Sequence, residues 1–381
     1  MLSDVYFPRV NGVSASIRTF ARELTQLGHS VTIVAPEYGS RDEEGEFEII
    51  RLPSRIIFFD PEDRLMRSSG VRTASRALSK RSWDVIHIHT PFRAHQLGVR
   101  LGRRIGCPTV ESYHTFFEEY VAHYLPWLPV SLLRFAARSF SRRLCQGVDR
   151  LIVPSQQMAD VLRRYGITTP VSVIPTGIHL DEFRGGDGDQ FRREHDIAID
   201  QPTLVTVSRL AAEKNIGFLL DVTRALVTEF AQLMFIVAGE GPDADRLRQK
   251  VAALGLQSNV RFVGNLDRRK GLLDCYKAGN VFVFASPTET QGLVLLEAMS
   301  LGIPIVSTAV MGTATVLKHT RCAIVSAEDV GEFASHVAGL LRSPADRKKL
   351  SQAGPEDALA WSAQALMGSV VKLYTHLGDR E

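Results

Sequence analysis

Cysteine is scarce in this sequence, and the four that occur are far apart. Cys107, Cys145, Cys275 and Cys322 form no closely spaced pair in a chain of 381 residues. Zinc sites and the disulfide frameworks of small secreted proteins both need regularly spaced cysteines, so the sequence favours neither. This cysteine usage is typical of a reducing compartment, and we expect the protein to be cytoplasmic.

Long apolar runs are also missing. No stretch approaches the roughly 20 apolar residues that a helix needs to cross a bilayer. The opening residues, MLSDVYFPR, carry an early acid and no apolar core, unlike a signal peptide. We therefore expect any contact with a membrane to be peripheral, at its inner face.

A strong net charge is absent too, but the charges are unevenly distributed. The chain has 45 Lys and Arg against 42 Asp and Glu. Residues 1–184 hold 24 against 19, a net +5, and residues 185–381 hold 21 against 23, a net −2. A mildly basic first half suits an anionic partner such as a membrane surface, a nucleic acid or a phosphate group. Ordinary solubilising charge is the alternative.

Short β-branched runs alternate with helical patterns along the whole chain. Such alternation predicts an α/β protein with parallel sheets covered on both faces. With this length, we expect two doubly wound, Rossmann-like domains facing a ligand cleft at the carboxyl ends of their strands. The predicted strands are Val31–Ala35, Glu48–Leu52, Asp84–Ile88, Thr109–Tyr113, Arg150–Val153, Val171–Ile174, Thr203–Ser208, Leu233–Ala238, Val260–Val263, Val281–Phe284, Ile303–Ser307 and Ala323–Ser326.

The polar, glycine-rich stretch Gly185–Gly188 is the best predicted linker. It divides the chain into an N-terminal domain over 1–184, a second domain over 185–355 and a C-terminal helix over 356–381 that returns toward the first domain. Only Met1–Ser3 precede the loop Asp4–Gly12, where a doubly wound domain normally opens with a central strand. We therefore expect most of that strand to be missing and a natural start upstream of Met1.

The stretch Ser286–Met299, SPTETQGLVLLEAM, follows a predicted strand and combines two carboxylates with a helix start. Glu289 lies in the loop before the helix, and Glu297 lies about one and a half turns inside it. Gly292 lets a ligand approach the backbone, where helix N–H groups favour a phosphate. The segment suits a nucleotide-sugar, which has hydroxyls at both ends and phosphates between them. Two solvated glutamates on an ordinary strand–loop–helix unit are the alternative.

Three further turns could bind a phosphate or a nucleotide. Gly12 precedes a helix start, although such glycines also serve capping. Arg209 and Lys214 follow the strand at 203–208, where they could hold a diphosphate or be plain surface cations. Glu240 lies between two glycines whose small size would let a flat base approach, or which form a simple turn.

An aromatic segment, ESYHTFFEEYVAHYLPWLP over 111–129, follows the strand at 109–113. His114 lies just past the strand end and could hydrogen-bond a sugar hydroxyl or a developing charge. The aromatics could line an apolar acceptor site, or form a core cluster with satisfied histidines. The candidate acceptor-side residues are Tyr113, Phe116, Tyr120 and Trp127.

A basic amphipathic helix is predicted directly after this segment. Leu133, Ala137, Phe140 and Leu144 recur with helical spacing and form one apolar stripe. The opposite side carries the three candidate membrane-contacting residues Arg134, Arg138 and Arg142. The pattern is typical of a helix at a membrane interface, and equally of a surface helix that packs on a sheet.

Taken together, these segments resemble glycosyltransferase family 4, retaining enzymes of the GT-B architecture. Its E-x7-E element corresponds to Glu289–Glu297, its Arg/Lys diphosphate element to SRLAAEKN and its base-side turn to GEGP. VNGVS matches the glycine loop of its first domain, and VIPTGIHLD matches its connecting stretch. One departure is Met311–Thr315, which stands where the family usually has a Gly-rich turn with a Pro-Glu pair.

The resemblance implies a role for each candidate residue. Arg209 and Lys214 would hold the donor diphosphate, and Glu297 would accept from the ribose hydroxyls. Glu289, with the N–H groups around Gly292 and Leu293, would position the transferred sugar. Gly12, Glu240 and His114 would contact the phosphate side, the base side and the reacting sugar, respectively. The family usually needs no metal or other cofactor, because cations and a helix dipole neutralise the leaving diphosphate.

The aromatic segment itself resembles the equivalent loop of enzymes that glycosylate diacylglycerol. We therefore expect transfer of a hexose from UDP-glucose to a lipid such as diacylglycerol at an anionic membrane face, with no nucleic-acid partner. The alternatives are a mannosyl- or other hexosyltransferase that extends a lipid-linked or soluble glycan, a nucleotide-sugar epimerase, and a catalytically inactive sugar-binding module.

Overall fold

The computed structural model describes residues 1–9, 11–39, 47–57, 60–114, 129–268 and 270–378. The chain forms two compact units. Unit 1 comprises Met1–Gly177 and Ala363–Glu381, and unit 2 comprises Ile178–Ser362. The junctions thus differ from those placed at 184/185 and 355/356 from the sequence.

The glycine-rich stretch Gly185–Gly188 is part of unit 2 and packs against one of its helices. The Asp187 N–H donates to Asp274 Oδ1 at 2.6 Å. A Cβ on Gly188 would lie only 2.3 Å from the carbonyl oxygen of Lys277. Gly186 and Gly188 are therefore required by close backbone packing rather than by the flexibility of a linker.

Unit 1 is an α/β unit built on a parallel sheet. Its elements are α1 (Gly12–Gln26), β1 (Thr32–Pro36), β2 (Glu48–Leu52), β3 (Ser54–Ile57), β4 (Asp60–Met66), α2 (Ser68–Leu78), β5 (Ile86–Ile88), α3 (Arg93–Ile105), β6 (Thr109–Ser112), α4 (Val130–Cys145), β7 (Arg150–Val153), α5 (Gln156–Arg164) and β8 (Val171–Val173). The six predicted strands of this half are all found, with ends shifted by a few residues. The antiparallel pair β3–β4 was not predicted.

The two halves of the unit 1 sheet meet at Leu2. β1 pairs with β2, and β5 to β8 pair in chain order, all in parallel. Leu2 forms parallel bridges to Val34 on one side and to Ile88 on the other. Met1–Ser3 thus occupy the central position, between β1 and β5, where the doubly wound pattern has its first strand.

Unit 2 carries a six-stranded parallel sheet in the order β11-β10-β9-β12-β13-β14, the Rossmann order, within the residues described. All six predicted strands of this half are found. Its elements are α6 (Gly188–Glu194), β9 (Thr203–Val207), α7 (Ile216–Leu226), β10 (Met234–Ala238), α8 (Ala244–Ala253), β11 (Val260–Gly264), α9 (Gly271–Ala278), β12 (Val281–Phe284), α10 (Leu293–Ser300), β13 (Ile305–Ser307), α11 (Gly312–Leu317), β14 (Ala323–Val325), α12 (Val330–Arg342) and α13 (Pro344–Ala358).

The last helix, α14 (Ala363–Gly378), packs within unit 1. Met367 and Val370 lie in one buried apolar cluster with Phe20 and Leu24 of α1. Burial of such side chains is worth roughly 1.5–3 kcal/mol each, so α14 adds substantially to the stability of unit 1. The helices in the described ranges include none that is both long and apolar enough to span a bilayer.

Candidate active site

Helix α10 of unit 2 begins where the sequence analysis placed it. Gly292 precedes it with a φ of 91°, a left-handed conformation that L side chains rarely adopt. A Cβ at this position would also lie 3.2 Å from Thr313 Cγ2. Glycine therefore allows the sharp turn into α10, whose opening N–H groups, at Leu293 and Val294, offer a seat for an anion.

Glu289 and Lys214 form an ion pair beside this helix start. Lys214 Nζ donates to Glu289 Oε1, and the two side chains are 20% and 18% exposed. Because each side chain keeps some exposure, a ligand can still reach both charges. The structure thus brings together a cation and a carboxylate that the sequence analysis singled out separately.

Arg209 and Ser208 follow the carboxyl end of β9, the sheet edge at which doubly wound domains bind ligands. Arg209 is half-buried. Ser208 Oγ is buried without a hydrogen-bond partner in the described part of the chain. Lys214 closes the short turn Ala212–Lys214 that comes next, so both candidate cations lie on the same connection after β9.

The glycines on either side of Glu240 have a structural cause that differs from the predicted one. A Cβ on Gly239 would lie 2.0 Å from the Ser208 carbonyl oxygen, and one on Gly241 would lie 2.3 Å from that of Leu210. The neighbouring backbone, not a flat base, occupies this space. Glu240 itself is exposed and accepts a hydrogen bond from Asn265 Nδ2 at 3.2 Å.

The atypical segment Met311–Thr315, which is a turn into helix α11 at Met311 followed by the first residues of that helix, packs directly on the Glu289 loop. The Gly312 N–H donates to the Glu289 carbonyl oxygen at 2.7 Å. A Cβ on Gly312 would lie 2.1 Å from the carbonyl carbon of Thr290. Met311 has a φ of 53°, which is strained for a residue with a side chain. This turn therefore helps to fix the position of the Glu289 backbone.

Glu297 is more enclosed than its predicted role as an open acceptor suggests. The residue is 4% exposed, and its two carboxylate oxygens accept from Arg268 and from Tyr276. Neither partner was identified from the sequence. Arg268 lies 29 residues away along the chain and Tyr276 lies 21 away, so no local pattern connects them to Glu297.

In unit 1, three histidines gather at the ends of β5 and β6. His114 Nε2 and His89 Nδ1 are 3.2 Å apart and share a hydrogen bond. The rings of His87 and His89 have centroids 3.9 Å apart. Of the three, only His114 was identified from the sequence. The alternating pattern His87-Ile88-His89 at a predicted strand end was the signal for the other two.

These histidines are uncharged at neutral pH. Burial lowers the pKa of His114 to about 4 and lowers the pKa values of His87 and His89 well below the ordinary value. A neutral imidazole can donate one hydrogen bond and accept another. His114 is therefore suited to hydrogen bonding with a substrate hydroxyl rather than to acting as a permanent cation.

Tyr113 does not line an open site. The residue is 4% exposed, and its hydroxyl lies 2.7 Å from Ser141 Oγ on α4. Burial raises the pKa of this hydroxyl, so it remains protonated. Tyr113 thus links the end of β6 to α4, a contact that the sequence did not predict, and its place on the acceptor side stays a prediction. Phe116, Tyr120 and Trp127 lie outside the described residues.

Helix α4 buries a stripe that differs from the prediction at one position. Leu133, Ala137 and Leu144 are buried as expected, but Phe140 is 39% exposed. Ser141, which is fully buried, completes the inner face in its place. Arg134, Arg138 and Arg142 are exposed, as the amphipathic pattern indicated. They share the outer side of the helix with the large apolar residues Leu132 and Phe135, which are 54% and 66% exposed.

Gly12 is the first residue of α1. Asn11 caps the helix by accepting a hydrogen bond from the Ser14 N–H at 2.8 Å. Among the described residues, apart from its chain neighbours and the backbone of α1, none has an atom within 4 Å of the position that a Cβ on Gly12 would take. Space around the Gly12 backbone is thus open to a ligand, while the capping itself is done by Asn11.

Comparison with solved structures identifies the fold. The chain resembles the solved structure of sucrose-phosphate synthase from Thermosynechococcus elongatus, with a TM-score of 0.81 at 20% identity over 99% of this chain and 98% of that one. It also resembles Anabaena HepE, solved in complex with UDP and glucose, with a TM-score of 0.79 at 15% identity over 98% and 99% of the two chains. With its parallel sheets in two Rossmann-like units, the protein has the GT-B fold.

The family follows from the sequence matches. The model described as Glycosyltransferase Family 4 matches residues 10–182, and that described as Glycosyl transferases group 1 matches residues 187–357. The chain is 33% identical over 315 residues to the alpha-monoglucosyldiacylglycerol synthase of Streptococcus pneumoniae, covering 81% of this chain and 70% of that protein. The chain belongs to glycosyltransferase family 4 and is a glycosyl-transferring enzyme.

Proposed function

We propose that the protein transfers a hexose from a nucleotide-sugar, UDP-glucose, to a lipid acceptor such as diacylglycerol, with retention of anomeric configuration. The observation that carries this proposal is the Lys214–Glu289 pair beside the start of α10. It combines a cation for a leaving diphosphate with a carboxylate for the hydroxyls of the transferred sugar. The likeness to a glucosyldiacylglycerol synthase supports the choice of sugar and acceptor.

In this proposal, unit 2 holds the donor. Arg209, Lys214 and the N–H groups at Leu293 neutralise the diphosphate, which makes it a better leaving group. Glu297 accepts from the ribose, and Glu240 lies on the base side. The bound UDP and glucose of HepE support a uridine nucleotide.

Catalysis then needs charge stabilisation more than a separate nucleophile. We infer that the acceptor hydroxyl attacks on the face that the diphosphate leaves, and that the leaving phosphate helps to take up its proton. His114 is a neutral hydrogen-bonding group in this scheme. Since side chains and backbone supply the positive charge, the reaction is metal-independent, and rates should be unchanged after treatment with EDTA. A loss of activity that Mg²⁺ or Mn²⁺ restores would contradict this.

The lipid acceptor is supported by the outer face of α4. Exposed Leu132 and Phe135 share this face with the exposed Arg134, Arg138 and Arg142. Apolar side chains that enter the headgroup region, flanked by arginines that pair with anionic lipids, are typical of helices at a membrane interface. We therefore propose that unit 1 contacts an anionic membrane face through α4.

The basic surface extends from α4 to α3. Arg142 and Arg143 of α4 line an open groove of about 500 Å³ together with Arg103 of α3. Arg100 and Arg104 of α3 line a second groove with Arg72 and Arg76 of α2. Each arginine near an anionic membrane contributes about 1 kcal/mol of attraction, so this surface would favour phosphatidylglycerol over neutral lipid.

Transfer assays test the proposal directly. The protein is incubated with labelled UDP-glucose, UDP-galactose or GDP-mannose, and with vesicles that contain diacylglycerol or with soluble glycans. We expect a monoglycosylated lipid from UDP-glucose, identified by mass spectrometry, and about 10²–10³-fold slower formation of it by the Glu289→Gln variant. Transfer to the glycans alone would contradict the lipid acceptor, and conversion of the donor without any acceptor would indicate an epimerase.

Vesicle sedimentation tests the membrane contact. We expect the protein to bind vesicles of phosphatidylglycerol and phosphatidylcholine but not phosphatidylcholine alone. Exchange of Leu132 and Phe135 for serine should reduce binding about tenfold or more, since each buries substantial apolar area in the bilayer. The matched control is Ile199→Ser, a 53% exposed apolar residue of unit 2. Equal binding by both variants would contradict a role for α4.

A further inference from the structure

The carboxylate of Glu297 is held on both of its oxygens by side chains from elsewhere in unit 2. Arg268 donates from its terminal nitrogen to Glu297 Oε1 at 2.7 Å, and the Tyr276 hydroxyl donates to Oε2 at 2.8 Å. The Glu297 side chain is 5% exposed and that of Arg268 is 30% exposed. The plane of the carboxylate is thus fixed from two directions, with Arg268 as its more open neighbour.

Both partners are anchored by their own surroundings. Arg268 lies between β11 and α9, where Asp267 accepts hydrogen bonds from the N–H groups of Lys270 and Gly271 at 3.0 and 2.9 Å. Its guanidinium carbon lies 5.8 Å from the centroid of the Phe183 ring. Tyr276 of α9 is fully buried. Two parts of unit 2, the segment between β11 and α9 and helix α9 itself, therefore converge on one carboxylate of α10.

The protonation states of Arg268 and Tyr276 favour their contacts with Glu297. Glu297 raises the pKa of Arg268, so the guanidinium remains charged. Burial and the nearby carboxylate raise the pKa of Tyr276 well above its ordinary value, so the phenol remains a donor. A buried carboxylate without a cation would be costly and would repel an anionic ligand. The positive charge of Arg268 offsets the cost of burying the carboxylate and its repulsion of an anionic ligand.

The lone pairs that remain on Glu297 have a defined geometry. A carboxylate offers about four acceptor positions, two on each oxygen. Arg268 and Tyr276 each occupy one, on different oxygens. One position on each oxygen is left, which matches the two neighbouring hydroxyl groups of a ribose.

We propose that Arg268 and Tyr276 are positioning residues that orient Glu297 for selective recognition of both ribose hydroxyls of the donor nucleotide. This inference rests on the proposed function, in which Glu297 faces the ribose. Neither residue needs to touch the sugar being transferred. Their loss should therefore reduce discrimination between nucleotides that differ only in a ribose hydroxyl.

Calorimetric titration of the full chain tests the proposal. UDP, GDP and ADP are titrated first, and the tightest-binding nucleotide is then compared with its 2′-deoxy and 3′-deoxy forms. Each missing hydroxyl should weaken binding to the wild type by about 10-fold or more, because a hydrogen bond to a charged group is lost. In Arg268→Met and Tyr276→Phe we expect this ratio to fall below about 3-fold.

Two further variants separate positioning from general damage. Arg268→Lys keeps the charge but loses the planar fork, and it should give an intermediate ratio. Arg248→Met removes a 57% exposed arginine of α8 that pairs with Asp245, and it should keep the wild-type ratio. Thermal unfolding is recorded for each variant, and Tyr276→Phe, which keeps the buried ring, carries the test if Arg268→Met does not fold.

The outcomes distinguish this inference from the proposed function. If the wild type binds none of the three nucleotides, the proposed function fails and this inference fails with it. If the wild type binds one and discriminates, but Arg268→Met and Tyr276→Phe retain the wild-type ratio, only this inference is overturned. A wild-type ratio near one would likewise overturn it, since Glu297 would then not read the ribose.

Discussion

The two units present their candidate residues in opposite electrostatic states. Unit 1 gathers three histidines that are uncharged at neutral pH, of which His87 and His89 are buried and His114 is half-buried. Unit 2 gathers ion pairs, Lys214 with Glu289 and Arg268 with Glu297. Neutral imidazoles can exchange hydrogen bonds with hydroxyl groups, whereas paired charges can neutralise a phosphate without placing a bare carboxylate beside it.

The difference suggests a division of labour between the units. A glycosyltransferase must stabilise a leaving diphosphate and must also orient sugar hydroxyls without protonating the wrong group. Charge in unit 2 suits the first task, and uncharged donors and acceptors in unit 1 suit the second. If this division holds, substitutions in the two units should differ in their dependence on charge and on pH.

The largest effect is expected from the charged pair of unit 2. Lys214→Met and Glu289→Gln should each lower kcat/KM about 10²–10³-fold, because in the proposed function each removes a group that stabilises charge or position in the transition state. Initial rates with the donor and acceptor identified by the transfer assays would measure this. The matched control is Lys250→Met, which removes a comparable, partly exposed pair with Asp221 on the same unit.

If kcat/KM falls by less than about threefold in both Lys214→Met and Glu289→Gln, the charged groups of unit 2 do not have the role that the contrast with unit 1 assigns to them. It would mean that the ion pair stabilises the fold without assisting the reaction. A loss in the Lys250→Met control of the same size as in Lys214→Met would lead to the same conclusion, because it would reflect general damage to unit 2.

Acid should weaken unit 1 through its histidines. His114 has a pKa of about 4 in the folded protein against 6.5 as a free side chain, so the unfolded chain binds the proton first. The stability associated with neutral His114 is complete above pH 6.5 and is lost as the pH falls toward 4, by up to about 3 kcal/mol. Asp4 acts in the opposite direction, since burial raises its pKa to about 6 and protonation relieves that cost.

Urea unfolding at pH 7.5, 6.0 and 5.0 measures this slope. His114→Gln should be less sensitive to acid than the wild type, because it removes one of the groups that must take up a proton on unfolding. His336→Gln, a 36% exposed histidine of unit 2, is the control and should leave the slope unchanged. Identical slopes for the wild type and His114→Gln would contradict the assignment of a buried, neutral His114.

Much of the fold was predictable because it depends on local patterns. All twelve β-branched runs that were predicted as strands are strands, and the turn at Gly292 leads into a helix as expected. The β3–β4 pair was missed because DPEDR, within β4, has neither alternation nor β-branched residues. The packing of Gly186 and Gly188 was not predictable, because glycines required by close packing look the same in sequence as glycines of a linker.

The candidate site was predictable only where its members are close in sequence. Glu289, Gly292 and Glu297 lie within one strand–loop–helix segment, whose geometry follows from the helix start. The contacts of Glu297 with Arg268 and of His114 with His89 join residues more than 20 positions apart. They depend on how the strands are ordered, which periodicity does not specify, and the exposure of Phe140 depends likewise on how α4 packs.

A smaller loss of stability is expected when the hydrogen bond between Tyr374 of α14 and His87 is removed. The Tyr374 hydroxyl lies 2.6 Å from His87 Nδ1, and His87 Nε2 lies 2.8 Å from Ser112 Oγ. Tyr374→Phe keeps the ring but leaves one buried nitrogen of His87 without its partner, at a cost of about 1–2 kcal/mol. Urea unfolding at pH 7.5 would measure the loss, with the exposed Thr375→Ser as a control. No loss would indicate that water replaces the hydroxyl.

The smallest change in the free energy of unfolding is expected from substitution of Met311, the strained residue beside the Glu289 loop. Met311 has a φ of 53° and a ψ of −127°, a conformation that glycine adopts at little cost. Met311→Gly should therefore raise the free energy of unfolding by about 1 kcal/mol, because the relief of 1–3 kcal/mol of strain exceeds the entropy cost of a glycine. Urea unfolding measures the gain, and Met311→Ala, which keeps the strain without the long side chain, is the control.

The same pair of variants sharpens the comparison between the units. The Gly312 N–H donates to the Glu289 carbonyl oxygen, so removing the strain at Met311 should change the rate of glycosyl transfer. The same substitution should leave the acid sensitivity of unit 1 unaltered. If Met311→Gly is less stable than Met311→Ala, the backbone at 311 is not strained. In that case the side-chain contacts of Met311, rather than its conformation, account for the position of the Glu289 loop.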